Sequence, residues 1–338
     1  MNVNVCLRLT LLMALAMPAL SCLHATAATI DPGYDETAVE SHVSAAVGGL
    51  IDQDTDAFVA ILDVEHLLDR VLDGVEMRDQ TRQQFRVGVV AQEQAIAANL
   101  ATVFASAESV THLRTRSDVG YVSVLYRLDF GDNGLNYHEY LYDTRDSQVF
   151  DWYDYALGRN TSESMRSVAM SMLGPQSLTS FFSTLFDDTE SHTQRLTDMA
   201  AATREKAFAT TVELFREAPD AFKALDPALT FLIIAATNAD NEADYEYALN
   251  QVARYGGDNP RYAFILLDYY LLRGDFDKSI EAANVLQKRL GMIDSGIEEL
   301  KAGIYLTEGD RGKAIEQFEI STQVEPYRDA AYASLFEL

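Results

Sequence analysis

The sequence predicts an α+β N-terminal domain, three helices then about four antiparallel strands, followed by an all-α helical solenoid. Three observations predict it. Apolar residues recur at helical spacing from Asp35 to Ala107. The period then drops to two, with Val122, Val124, Tyr126, Leu128 and Phe130 alternating with Ser123, Arg127 and Asp129. Beyond Pro260 two stretches repeat, and their Gly-Asp turns at Gly274-Asp275 and Gly309-Asp310 stand 35 positions apart (309 minus 274).

With 338 residues the chain has room for two domains, and 48% hydrophobic content is enough for packed cores. The first 27 residues read as a signal peptide rather than as fold. Arg8 supplies a short positive region, Leu9 to Leu20 an apolar core, and Ala25-Thr26-Ala27 a small-x-small cleavage pattern. Cleavage after Ala27 implies a periplasmic or secreted protein. It also removes Cys6 and Cys22, leaving a mature chain without disulfides, a thiol nucleophile or cysteine-based zinc sites. Ala19-Leu20-Ser21-Cys22 resembles the motif before the lipid-modified cysteine of bacterial lipoproteins, so the alternative is a membrane-anchored lipoprotein acylated at Cys22. No later stretch approaches about 20 apolar residues, which predicts no transmembrane span in the mature chain. The net charge of −26 repels nucleic acid and anionic membrane surfaces; it reads first as a device for solubility, with cationic partners or divalent cations as the alternative.

In the N-terminal domain, 31–158, Asp35-Glu36 opens a helix carrying Val39, Val43, Ala46, Val47 and Leu50. Asp54 caps a second, which runs through Phe58, Ile61, Leu62, Val64, Leu67, Leu68, Val71 and Leu72 to Gly74. A third spans Asp79 to Ala105 with Phe85, Val89, Ile96, Leu100 and Val103 inward. Strands follow over Val110–Thr115, Val122–Phe130, Asn136–Tyr142 and Gln148–Tyr155. Turns are predicted at Gly131-Asp132-Asn133-Gly134 and Thr144–Ser147.

The stretches G-L-N-Y-H-E-Y-L-Y-D and Q-V-F-D-W-Y-D-Y-A-L-G, within Gly134 to Gly158, resemble the nuclear-transport-factor-2-like cone folds. That resemblance implies a curved sheet wrapping helices around a pocket. The pocket residues would be Tyr126, His138, Tyr140, Asp151 and Tyr153, with His112 nearby. A strand-borne histidine beside Asp and Tyr has the makings of a general base; the alternative is a histidine bonded to a cross-strand neighbour. The tyrosines and Trp152 read by default as cross-strand packing, with a ligand-stacking wall as the alternative.

Motif searches give no chemistry. There is no H-E-x-x-H, G-x-S-x-G or G-x-x-x-x-G-K-[ST], and His42, His66, His112, His138 and His192 lack metal-ligand spacing. Asp52-Gln53-Asp54-Thr55-Asp56 lacks the glycine and distal glutamate of a calcium loop and reads as helix capping. No catalytic residue, metal or cofactor is assigned.

Residues 159–190 read as connecting helices: Ser164–Leu173, a break at Gly174-Pro175, and Gln176–Phe186 with Phe181, Phe182, Leu185 and Phe186. The solenoid occupies 191–338. It opens with a long helix from Ser191 to about Glu217, then a pair over Ala228–Thr237 and Glu242–Tyr255.

Two clear units follow at 260–293 and 295–328. The first reads P-R-Y-A-F-I-L-L-D-Y-Y-L-L-R-G-D-F-D-K-S-I-E-A-A-N-V-L, and the second S-G-I-E-E-L-K-A-G-I-Y-L-T-E-G-D-R-G-K-A-I-E-Q-F-E-I-S-T-Q-V-E-P. In register Leu267 matches Ala302, Tyr270 matches Tyr305, Ser279 matches Ala314 and Ala283 matches Phe318. This pattern resembles the tetratricopeptide repeats, whose period is about 34 residues.

The resemblance implies a protein- or peptide-binding groove at Arg261, Phe264, Asp268, Leu271, Leu272, Glu299, Gly303 and Leu306, the alternative being a groove filled by the chain's own helices. Phe264, Asp268 and Glu299 stand where a carboxylate clamp needs basic or amide groups, so an apolar or basic peptide is expected rather than an acidic tail. A terminal helix, Asp329–Leu338, would cap the stack with Tyr332 and Leu335 inward. The functional expectation is an exported, non-enzymatic scaffold or adaptor of the bacterial envelope. The alternative is a small-molecule binder or enzyme using the N-terminal pocket.

Overall fold

The computed structural model describes residues 35–75, 77–131, 134–171, 190–239, 241–257 and 259–338. The expected signal peptide, Cys22, the helix at Gln176–Phe186 and the tip of the Gly131–Gly134 turn lie outside them. Among the described residues the chain divides into two compact units. The larger holds 35–155 and 159–248, and the smaller 156–158 and 249–338.

In the larger unit α1 (Glu36–Ile51) starts at Asp35, whose carboxylate accepts from Thr37 N, and it buries Val39, Val43, Ala46, Val47 and Leu50 as its spacing requires. The expected second helix is two, α2 (Asp56–Ile61) and α3 (Val64–Leu72). Leu62 is extended and bridges to Val149, Asp63 N donates to Val149 O at 2.8 Å, and the Asp63 side chain caps α3 at His66 N. A strand contact therefore interrupts an apolar pattern that reads as continuous. The expected third helix is also two, α4 (Asp79–Val90) and α5 (Glu93–Ser106). Gln94, in the first turn of α5, hydrogen-bonds Thr55 and Asp56 and so fixes α5 to the start of α2.

The sheet is a meander in chain order: β1 (Ser109–Asp118), β2 (Tyr121–Asp129), β3 (Leu135–Asp143), β4 (Gln148–Asp154) and β5 (Arg159–Asn160). All neighbours are antiparallel. The two-residue β5 stands where a helix start was expected; α6 (Thr161–Ser171) begins directly after it. One sheet face packs on α1 to α5. Val122, Val124, Tyr126, Leu128, Tyr140, Tyr142, Val149 and Trp152 join the helix residues there in one apolar core.

The expected long helix after Ser191 is α7 (Glu190–Arg204) and α8 (Phe208–Arg216). Lys206 takes φ 59°, while Lys206 N and Ala207 N donate back to Thr203 O and Ala202 O. That is a Schellman termination built without glycine. Short α9 (Asp220–Lys223) follows Pro219. Next come α10 (Asp226–Asn238), which is buried almost all round, and α11 (Glu242–Gly256).

The smaller unit is helical. A 3₁₀ turn at Pro260–Tyr262 leads into α12 (Ala263–Leu272), followed by α13 (Phe276–Leu290), α14 (Ser295–Glu308), α15 (Arg311–Val324) and α16 (Asp329–Glu337). Each of these five helices packs on the next. The repeated Gly-Asp turns do one job twice. Gly274 (φ 68°) and Gly309 (φ 93°) end a helix in the left-handed region. Asp275 and Asp310 then cap the next helix at Lys278 N and Lys313 N. Ser279, Ala283, Ala302 and Ala314 are fully buried where the helices approach. Tyr332, expected inward, is 40% exposed instead. Ala331 and Leu335 make the inward face of α16, because Ala331 sits against Ala302, Ala314 and Phe318.

Candidate functional site

Alternation along β3 sorts the candidate pocket residues onto two faces. Asn136, His138, Tyr140 and Tyr142 share the helix-facing side with Tyr126, the direct partner of His138. Tyr137, Glu139 and Leu141 share the other. A bulge in β4 makes Phe150 an extra residue, so Leu141 pairs with Asp151, Glu139 with Tyr153, Tyr140 with Trp152 and His138 with Asp154. The sheet therefore brings Tyr126, His138 and Tyr140 together and sends Asp151 and Tyr153 to the opposite face. Asp154, which the sequence reading did not select, is the carboxylate beside His138.

On the helix side Tyr126 OH meets Ser44 Oγ at 2.7 Å and Tyr142 OH meets His42 Nδ1 at 2.8 Å, both from α1. Burial pushes the Tyr126 hydroxyl up to about 12. His138, 2% exposed, has Nε2 3.5 Å from Asp154 Oδ2. Asn136 Nδ2 reaches both that nitrogen and Asp154 Oδ1, at 3.3 and 3.1 Å. His138 Nδ1 and Tyr140 OH are buried without a hydrogen-bond partner, and burial holds the Tyr140 hydroxyl well above its ordinary value. The surrounding space is aromatic: Phe104 lies 5.5 Å from the His138 ring, and Phe58, Tyr126 and Trp152 lie about the Tyr140 ring at 5.9, 6.0 and 6.2 Å. His112 pairs instead with Glu40 Oε1 at 3.3 Å and with Thr115.

On the other face Asp151 is fully buried and fully engaged. Its carboxylate accepts from Arg70 Nε at 2.9 Å, Ser162 Oγ at 2.6 Å, Ser162 N at 3.1 Å and Trp152 N at 2.9 Å. It thus ties α3 and the first turn of α6 to the sheet. Burial raises its pKa in spite of Arg70 and Ser162. Tyr153 lies edge-on to Tyr155, whose hydroxyl donates to Glu139 at 2.9 Å; Glu139 also pairs with Arg114 at 2.8 Å. The donors to Asp151 all come from the chain itself, and both carboxylate oxygens are engaged.

The expected groove residues are spread over several environments. Arg261 Nε donates to Gly158 O at 3.1 Å. Phe264 and Asp268 are each 4% exposed, and Leu271 is half-buried. Glu299 accepts from Arg328 Nε at 2.5 Å and Ser321 Oγ at 2.9 Å. Leu306 is open, at 39%. The neighbours Leu272 and Gly303 are exposed as well.

The exposed aromatics lie further along, at Tyr327, Tyr332 and Phe336. Sequence signals for them exist: a tyrosine after Pro326, and two aromatics four apart in a terminal helix.

Among the described residues no group of His, Cys, Asp and Glu is arranged to hold a metal ion. No single described helix is long and apolar enough to cross a membrane; α4 and α5 reach that composition only as a pair bent by 50°. No family model, curated protein or solved structure matches this chain.

Proposed function

We propose that this chain is an exported, non-enzymatic scaffold or adaptor that holds a protein or peptide through a short tetratricopeptide-like solenoid at its C-terminus. The carrying observation is where apolar surface is left open. Of the ten large apolar side chains exposed among the described residues, seven belong to the smaller unit: Leu272, Ile293, Leu306, Val324, Tyr327, Tyr332 and Phe336. Their concentration on one unit supports an interaction surface there. The 35-residue recurrence of turn, cap and buried small residue supports the repeat reading.

The test places the photo-crosslinker p-benzoylphenylalanine in the full chain at Leu306, at Phe336, or at Val119 in the β1–β2 turn as control. Products from the first two sites and none from Val119 support the reading. Products from Val119 alone would place the partner on the sheet unit and sink it. Export by cleavage after Ala27, giving a periplasmic or secreted protein, is part of the same proposal, with acylation at Cys22 as its alternative. Intact mass of the soluble and membrane fractions separates the two.

A second reading, a small-molecule site on the helix-facing side of the sheet, is favoured by one observation. His138 Nδ1 and Tyr140 OH are neighbouring buried groups without partners. The Tyr140→Phe measurement described in the Discussion decides for or against it.

A further inference from the structure

We propose that the face of α16 carrying Tyr332 and Phe336, with Tyr327 in the preceding turn, docks a basic amphipathic segment of another protein; this rests on the adaptor reading and specifies its site and partner chemistry. Helix α16 turns Ala331 and Leu335 inward, which leaves Tyr332 and Phe336, one turn apart, at 40% and 92% exposure. Tyr327 is 94% exposed.

The charges carried by this C-terminal stretch, 316–338, choose the occupant. Glu316, Glu319, Glu325, Asp329 and Glu337 are the acids between positions 316 and 338, and Arg328 is the only base. Arg328 is engaged by Glu299, itself half-buried. Glu316, Glu319, Asp329 and Glu337 are exposed and enter no ion pair among the described residues.

A symmetric pair of copies through this face would set the same carboxylates against one another. Nucleic acid and anionic lipid carry the wrong sign. A segment with lysine or arginine beside apolar side chains satisfies both features. Its cations meet the free carboxylates and the faces of Tyr327, Tyr332 and Phe336, and its apolar side covers the rings.

The probe is a fluorescent leucine–lysine amphipathic helix, with its leucine–glutamate counterpart as control, titrated by anisotropy into the full chain. The lysine peptide should bind and the glutamate peptide should not. Tyr332→Ser with Phe336→Ser should weaken binding about tenfold or more, as loss of interface aromatics does. Both side chains are exposed, so the variant should keep its fold, checked by circular dichroism. Glu319→Gln with Asp329→Asn should weaken binding too. If the aromatic variant binds as the parent does, attraction is diffuse charge and the proposal is overturned. Equal binding of the glutamate peptide overturns it as well, as does sedimentation showing that this face pairs two copies. If the lysine peptide fails while the crosslinker at Leu306 still captures a partner, the docking proposal falls and the adaptor reading stands. If both fail, both fall.

Discussion

The ammonium of Lys313 lies 5.0 Å from the centre of the Tyr305 ring, and 35 positions earlier Lys278 stands 5.3 Å from that of Tyr270. Each lysine also pairs with the aspartate that caps its helix, Asp310 at 3.1 Å and Asp275 at 2.8 Å. Asp310 N and Asp275 N donate back to Tyr305 O and Tyr270 O at 2.8 and 2.9 Å. The recurrence is therefore one of geometry as well as of letters.

It predicts matched responses to matched substitutions. A Cβ at Gly274 or Gly309 meets no atom within 4 Å, so only the left-handed backbone is penalised. Gly274→Ala and Gly309→Ala should each lower stability by about 1–2 kcal/mol, measured by urea unfolding. Asp275→Ala and Asp310→Ala should also destabilise by similar amounts. Losses that differ widely between the two turns would show that the hairpins are not equivalent units.

Asp151 sets a pH dependence whose sign follows from burial. Its folded pKa is raised, so between the ordinary carboxylate range and that raised value the folded state holds a proton that the unfolded chain has released. Stability from this group therefore falls as pH rises through that window and levels off above it. Asp143 slopes the other way. Hydrogen bonds from Arg145 lower its pKa, and its contribution is lost as pH falls below the ordinary range. Asp151→Asn should flatten the first slope, read from urea midpoints across pH. Asp151→Ala should cost about 3 kcal/mol or more at neutral pH, because it strands Ser162 and Trp152 donors in the core. An alanine variant as stable as the parent would mean the carboxylate is not the tie between α3, α6 and the sheet.

Two neighbouring tyrosines should respond in opposite directions to losing a hydroxyl. Tyr126 OH is bonded to Ser44, so Tyr126→Phe should destabilise by about 1 kcal/mol. Tyr140 OH is buried without a partner, so Tyr140→Phe should be neutral or stabilising by about 1 kcal/mol. Paired melts of the two variants check this. A clear loss in Tyr140→Phe would show its hydroxyl engaged in solution and would favour the small-molecule reading; a gain would mark the site as filled core.

The inward residues of α1 and the strand alternation were legible because each depends on local spacing alone. The breaks at Leu62 and Lys206 were not. Leu62 is pulled out of helix by Val149, far off in sequence, and Lys206 occupies a left-handed position that usually advertises itself as glycine. The site shows the same division. His138 and its face follow from period two, but its carboxylate partner depends on a bulge at Phe150. One extra residue exchanges Tyr153 for Asp154 opposite His138 and moves Asp151 to the other face. In the C-terminal unit the Gly-Asp turns and their caps were readable while the burial of the positions between them was not. Phe264 and Asp268 are buried, Glu299 is occupied by Arg328, and Tyr332 faces out.

Arg261, expected to line a groove, also has a structural contact of its own with Gly158. Gly158 has φ 69°, and a Cβ there would lie 2.2 Å from Arg261 O and 2.9 Å from its carbonyl carbon, while Arg261 Nε donates to Gly158 O. Backbone thus packs on backbone and neither side can yield. Gly74 is the control, with nearly the same angle, φ 70°, and nothing within 4 Å of an added Cβ. Gly74→Ala should cost about 1–2 kcal/mol from the left-handed conformation alone. Gly158→Ala should cost clearly more, because overpacking against a fixed carbonyl adds to it. Arg261→Ala, which removes one hydrogen bond but leaves the backbone approach, should fall below Gly158→Ala. Urea unfolding of the three variants orders them. If Gly158→Ala proves no worse than Gly74→Ala, the 156–158 segment is not seated against Arg261, and Arg261 returns as a candidate for binding.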